Sequence, residues 1–102
     1  MAQDDVIHLK VDRRLEHLLP RFLANCRRDA KEIRRAAAAG ELPAARAIGH
    51  SLRGSGGFYG LHEVSVIGAG IERAARDGNA PAVAQLVERL DRYLARVRPE
   101  FE

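Results

Sequence analysis

Tryptophan is absent from the chain, cysteine occurs once, at Cys26, and aromatic residues make up only 5% of its 102 positions. A single cysteine excludes an internal disulfide and any zinc site built on paired thiolates. Cys26 is expected to be a small core residue. Also missing is any run near the roughly 18 consecutive apolar residues that a membrane span needs. The start, Met1-Ala2-Gln3-Asp4-Asp5, has neither the basic nor the apolar stretch of a secretory leader. A cytoplasmic location without membrane attachment is therefore expected. Charge of one sign is scarce too: 17 lysines and arginines against 14 acids leave a net +3. That is too mild to name a partner, though it favours acidic ones over basic ones.

What remains is ordinary for a globular protein, with 46% hydrophobic and 30% charged residues. The chain is too short for two cores, so one domain is expected over 1–102, with a short segment 1–11 ahead of a bundle over 12–98. Alanine and leucine dominate, and both favour helix. Leu15, Leu19, Phe22, Leu23, Cys26, Ala30, Ile33 and Ala37 recur at steps of three and four, interrupted by Pro20. Because proline suits a first helical turn and harms an interior, the run reads as a short helix near 12–18 and a long one near 20–39, closed by Gly40.

The same spacing over Ala45, Ile48, Leu52, Ser55 and Tyr59 predicts a third helix from about Leu42 to Tyr59. Gly60 allows a tight turn, and Leu61, Val64, Ile67, Ile71 and Ala74 carry a fourth helix to Asp77-Gly78-Asn79. Asn79 as N-cap and Pro81 in the first turn open the last helix. Its stripe of Val83, Leu86, Val87, Leu90, Tyr93, Leu94 and Val97 runs to Pro99. No strand-like alternation is read anywhere. The expected fold is all-α, an antiparallel four-helix bundle with a short additional N-terminal helix.

One segment departs from good helix chemistry: five of the twelve positions from Gly49 to Gly60 are glycine. Interior glycines cost about 0.8–1 kcal/mol each against alanine, so roughly 3–4 kcal/mol of propensity is given up there. At about 100° per residue, Arg46, His50, Arg53, Gly54 and Gly57 share one stripe, with Ile48, Leu52, Ser55 and Tyr59 opposite. His50 should face solvent. Gly54 and Gly57 would clear its face for another protein's backbone, and Arg53 could hold a phosphate oxygen. A hairpin centred near Leu61 pairs positions whose numbers sum to about 122, which sets Glu72 level with His50. Its carboxylate could accept the imidazole Nδ1–H and leave Nε2 nucleophilic.

The segment Ala47-Ile48-Gly49-His50-Ser51-Leu52-Arg53-Gly54-Ser55-Gly56 resembles the His-x-Leu-Lys/Arg-Gly-Ser signature of histidine phosphotransfer domains. The stretch Gly70-Ile71-Glu72-Arg73-Ala74-Ala75-Arg76-Asp77-Gly78-Asn79 is similar to that family's Leu-Glu-x-Ala-x-x-x-Gly-Asp, and Phe22-Leu23 falls where its first long helix carries Phe-Leu. The resemblance implies that His50 accepts a phosphoryl group, that Arg53 replaces the usual lysine, and that Glu72 hydrogen-bonds the histidine. It further implies response-regulator receiver domains and a hybrid sensor histidine kinase as partners. Any Mg²⁺ then belongs to the receiver, and this chain needs no cofactor of its own. The chain is expected to act as a monomeric phosphocarrier in a two-component phosphorelay, taking the group from one receiver aspartate and passing it to another, with Arg46, Gly54 and Gly57 as docking positions. No nucleotide-binding motif is visible, so no kinase activity of its own is expected. Ile71 in place of leucine and the extra glycines depart from the family pattern.

Other readings are weaker. His8, His17 and His62 lack comparable context, and no two histidines stand at helical metal-binding spacing. The segment Arg53-Gly54-Ser55-Gly56-Gly57 lacks the Walker A ending, and Ser55 has no base near it in sequence. The alternative function is a basic helical nucleic-acid-binding module, since Arg27, Arg28, Lys31, Arg34 and Arg35 share a face of the long helix. Asp29 and Glu32 dilute that face, and no aromatics interleave with it.

Overall fold

A computed structural model describes residues 5–102, so the first four residues of the segment 1–11 lie outside it. Four helices dominate: α1 Leu19–Ala38, α2 Leu42–Phe58, α3 His62–Arg76 and α4 Ala80–Arg96. Their boundaries follow local chemistry. Pro20, Pro43 and Pro81 each lie in the first turn of a helix, where the missing N–H would have had no partner. Asn79 caps α4 by accepting the Ala82 N–H at 3.1 Å. At the other ends, α1, α2 and α3 close on Gly40, Gly60 and Gly78, all at positive φ. Around Gly60, Leu61 N–H reaches Gly56 O at 2.8 Å and Gly60 N–H reaches Gly57 O at 3.1 Å, the paired bonds of a left-handed C-terminal cap. The resulting turn between α2 and α3 is short, which is what brings His50 and Glu72 to the same height.

The strands were not anticipated. β1, Ile7–Val11, and β2, Val97–Phe101, pair in parallel, with Ile7 opposite Val97 and Val11 opposite Phe101. The expectation of an all-α fold without strands is therefore corrected to four helices plus a two-stranded ribbon joining the two ends of the described chain. Ile7-His8-Leu9-Lys10-Val11 does alternate, with Val11 buried. Its partner lies 90 residues away and contains Pro99, which has no N–H to give a ladder and suits an edge strand. The last helix accordingly ends at Arg96 and not near Pro99. A further correction concerns the short helix near 12–18: only a single 3-10 turn forms, Arg13–Leu15. The Asp12 carboxylate accepts the Arg14 N–H at 2.8 Å there, a local bond that competes with helix propagation.

Leu19, Ile33, Leu52, Leu61, Ile67, Ile71 and Leu90 are fully buried where the helices meet. Cys26 is wholly enclosed, and burial pushes its thiol up to about 12. Leu52 matters most for the site, because it seats α2 two residues from His50. Truncating such a side chain to alanine costs about 2–5 kcal/mol.

Candidate functional site

The seam between α2 and α3 is built from backbone. Buried positions on α2 are Ala45, Gly49, Leu52 and Gly56, so the predicted stripe of Ile48, Leu52, Ser55 and Tyr59 is rotated by one residue except at Leu52. The other three are half-buried. A β-carbon on Gly49 would stand 2.9 Å from Glu72 N and 2.9 Å from Gly68 O, and one on Gly56 would stand 2.6 Å from Ser65 N. On α3, a β-carbon on Gly68 would meet Arg53 N at 2.7 Å. Only glycine allows this approach. Ser65 Oγ donates to Arg53 O at 2.6 Å across the same seam. Two of the α2 glycines thus serve packing, whereas Gly54 and Gly57 have open space around them. The latter pair are the ones on the His50 face.

That close approach sets the geometry of the reactive group. The His50 side chain is 60% exposed and that of Glu72 14%, with His50 Nδ1 3.0 Å from Glu72 Oε2. Arg53 binds the other carboxylate oxygen, Nη1 to Oε1 at 3.1 Å. Arg53 Nη2 also lies 3.3 Å from His50 Nδ1, and both contacts at Nδ1 cannot be hydrogen bonds in one tautomer. An ionised carboxylate only accepts, and Arg only donates. The shorter contact, to the charged acceptor, places the proton on Nδ1 and donates it to Glu72, while Arg53 is held by Oε1. Nε2 then keeps its lone pair, on a side chain that is mostly exposed. The hydrogen bond from His50 holds the Glu72 carboxyl below the usual carboxylate range, with the Arg53 and Arg46 charges acting in the same sense. Its ionised form is therefore secured at neutral pH.

Cations surround the pair. An open cleft beside His50 is lined by Pro43, Arg46, Ala47, Glu72 and Arg76. A second depression, which shares Glu72 and Arg76 with the first, is lined also by Arg53, Ala69, Gly70 and Arg73. The expected His50, Arg53, Glu72 and Arg46 therefore gather at one place, with Gly54 and Gly57 exposed on the same helix. The sequence pattern alone assigns no role to Arg73, Arg76, Gly68, Gly49 or Ser65. Arg76 could have been found, since it follows Glu72 by four residues on its helix; Arg73, only one residue on, could not be found by that spacing. The seam glycines could not, because glycine contributes nothing to a hydrophobic pattern.

On the basic face of α1, three of the five cations have partners within the chain. Arg34 is paired with Glu88 and Asp91, Arg35 with Glu32 and Glu41, and Arg28 with Asn25. Two cations of the basic face proposed for nucleic acid are thus neutralised by the chain's own carboxylates, and nothing supports that alternative. His8 Nδ1 pairs with Glu100 Oε2 at 2.7 Å across the two strands, a tie between the ends of the described chain. His62 merely opens α3. No helix among the described residues is long and apolar enough to cross a membrane.

Comparison with known proteins returns one family. Searches of curated proteins and of solved structures gave no match. The family match, described as Hpt domain, runs over residues 17–100 and so takes in all four helices, His50 and Glu72. A match over that much of the sequence places the chain in the Hpt domain family, whose members carry phosphoryl groups on histidine in phosphorelays and dock receiver domains.

Proposed function

We propose that the whole chain acts as one phosphotransfer module, an antiparallel helical bundle presenting His50 as the phosphoacceptor. The observation that carries this reading is the exposed imidazole whose Nδ1 lies 3.0 Å from the Glu72 carboxylate. With the proton on Nδ1, the Nε2 lone pair attacks the phosphorus of a receiver's aspartyl phosphate. An N–P bond forms as the O–P bond breaks, and the departing electron pair stays on the partner's carboxylate. The ring becomes cationic, and Glu72 stabilises that charge through the proton it already accepts. Arg53 and Arg46 offset negative charge on the phosphoryl oxygens. Mg²⁺ bound by the receiver would supply the remaining neutralisation from its side.

Return of the group is the same step reversed: a second receiver's aspartate attacks phosphorus and the electron pair goes back to Nε2. The chain is a carrier in this scheme, a cytoplasmic monomer placed between a hybrid sensor kinase and a response regulator. The test is incubation with a receiver domain phosphorylated by acetyl phosphate, followed by intact mass. Wild type should gain one acid-labile phosphoryl group and His50→Gln none. Equal labelling of both chains would contradict the assignment.

A further inference from the structure

Phe58 is the most exposed large apolar side chain among the described residues, at 68%. A lone exposed apolar residue needs no explanation. Its position gives this one significance. Phe58 follows His50 by eight residues on α2, which places it about 12 Å along the axis and within a quarter turn of the same face. Between them lie Gly54 and Gly57, where a β-carbon would meet nothing within 4 Å. The surface from His50 to Phe58 is therefore a bared strip of helix with a nucleophile at one end and an aromatic ring at the other.

The ring is also held in place. It packs edge-on against Tyr59, with centroids 5.0 Å apart and planes at 85°. Tyr59 in turn stacks on the buried Phe22 at 4.2 Å. A side chain braced in this way loses little further freedom when covered. Leu15 lies in the shallow cleft beside it, together with Asp12 and Arg14. Those two are paired at 2.6 Å, so the rim carries no net charge.

Size decides whether a partner at His50 must meet this ring. A standard interface buries about 800 Å² on each protein, a patch roughly 16 Å in radius. A receiver centred on His50 therefore reaches Phe58. We propose that Phe58 is the apolar anchor by which the chain selects its receiver partner. The fitting surface carries acidic groups opposite Arg46, Arg53 and Arg76 and an apolar patch about 12 Å from the phosphorylated aspartate. This rests on the phosphotransfer reading of His50 and assigns it a specificity determinant.

The test uses the full chain as wild type and Phe58→Ala, with a panel of purified receiver domains phosphorylated by acetyl phosphate. Transfer rates are measured against receiver concentration, and phosphoramidate serves as a donor that needs no docking. For the receiver that labels wild type best, Phe58→Ala should raise KM about ten- to thirtyfold, the size of an anchor residue's loss. The kcat should stay within about twofold, because binding shared by ground and transition states is what is removed. Phosphoramidate labelling should be unchanged. A labelled wild type with the same KM as Phe58→Ala for every receiver overturns this proposal alone. So does concentration-dependent self-association that vanishes in Phe58→Ala while transfer persists, since the ring's occupant is then a second copy. A wild type labelled by neither receivers nor phosphoramidate overturns the phosphotransfer reading itself.

Discussion

Gly49 and Gly68 meet backbone to backbone: a β-carbon on the first would stand 2.9 Å from the second's carbonyl oxygen, and one on the second 2.8 Å from the first's. Since Gly49 adjoins His50 and Gly68 lies one turn before Glu72, this contact controls how near the two functional side chains come. Gly49→Ala should destabilise the fold by about 1–3 kcal/mol, the usual cost of overpacking, despite alanine's better helix propensity. It should also weaken the Nδ1–H bond to Glu72. Denaturant midpoints and the ¹⁵N shifts of the His50 ring check both parts, and a stabilised variant with the same tautomer would count against the seam.

Gly57 should behave in the opposite way. Nothing lies near its added β-carbon, so Gly57→Ala should raise stability by up to about 1 kcal/mol through helix propensity. Phosphotransfer should slow from Gly57→Ala to Gly57→Leu as bulk enters the path of the partner. Gly56→Ala, whose β-carbon would stand 2.6 Å from Ser65 N, should lower stability. Thermal midpoints of the three variants, with transfer rates from one receiver, separate access glycines from packing glycines.

The same contrast explains what could be read from the sequence. His50, Arg53 and Glu72 were legible because charged and polar groups on helical spacing mark a face, and a short turn fixes which residues of two helices lie level. The seam contact of Gly49 with Glu72 gives a sum of 121 where about 122 was expected. The division of labour among the glycines was not legible. Gly49 and Gly56 lie on the buried side of α2, yet they carry no apolar side chain to reveal it, so the helical spacing puts Ile48, Ser55 and Tyr59 there instead. The strands were hidden for a different reason: five alternating residues are too few to stand out, and Val97–Phe101 continues an apolar helical stripe up to its proline.

Glu72 should titrate below the ordinary carboxylate value of about 4.3, since its ionised form accepts the His50 proton and faces Arg53 and Arg46. A carboxyl lowered in the fold adds stability that is present above its unfolded value and lost as pH falls through the folded one. The stability difference between wild type and Glu72→Gln should therefore hold at neutral pH and shrink on acidification. The ¹³C carboxyl titration should move up in His50→Gln, where the largest cause is removed. An unmoved titration would break the link between the two residues.

The central claim is that Glu72 keeps the proton on Nδ1 so that Nε2 of His50 takes the phosphoryl group. The most direct measurement is a ³¹P–¹⁵N correlation spectrum of the ¹⁵N-histidine-labelled chain after transfer from a phosphorylated receiver. The account predicts a single coupling, to Nε2 of His50, absent in His50→Gln and formed more slowly in Glu72→Gln. Phosphorus coupled to Nδ1 of His50, or to His8, His17 or His62, would contradict it.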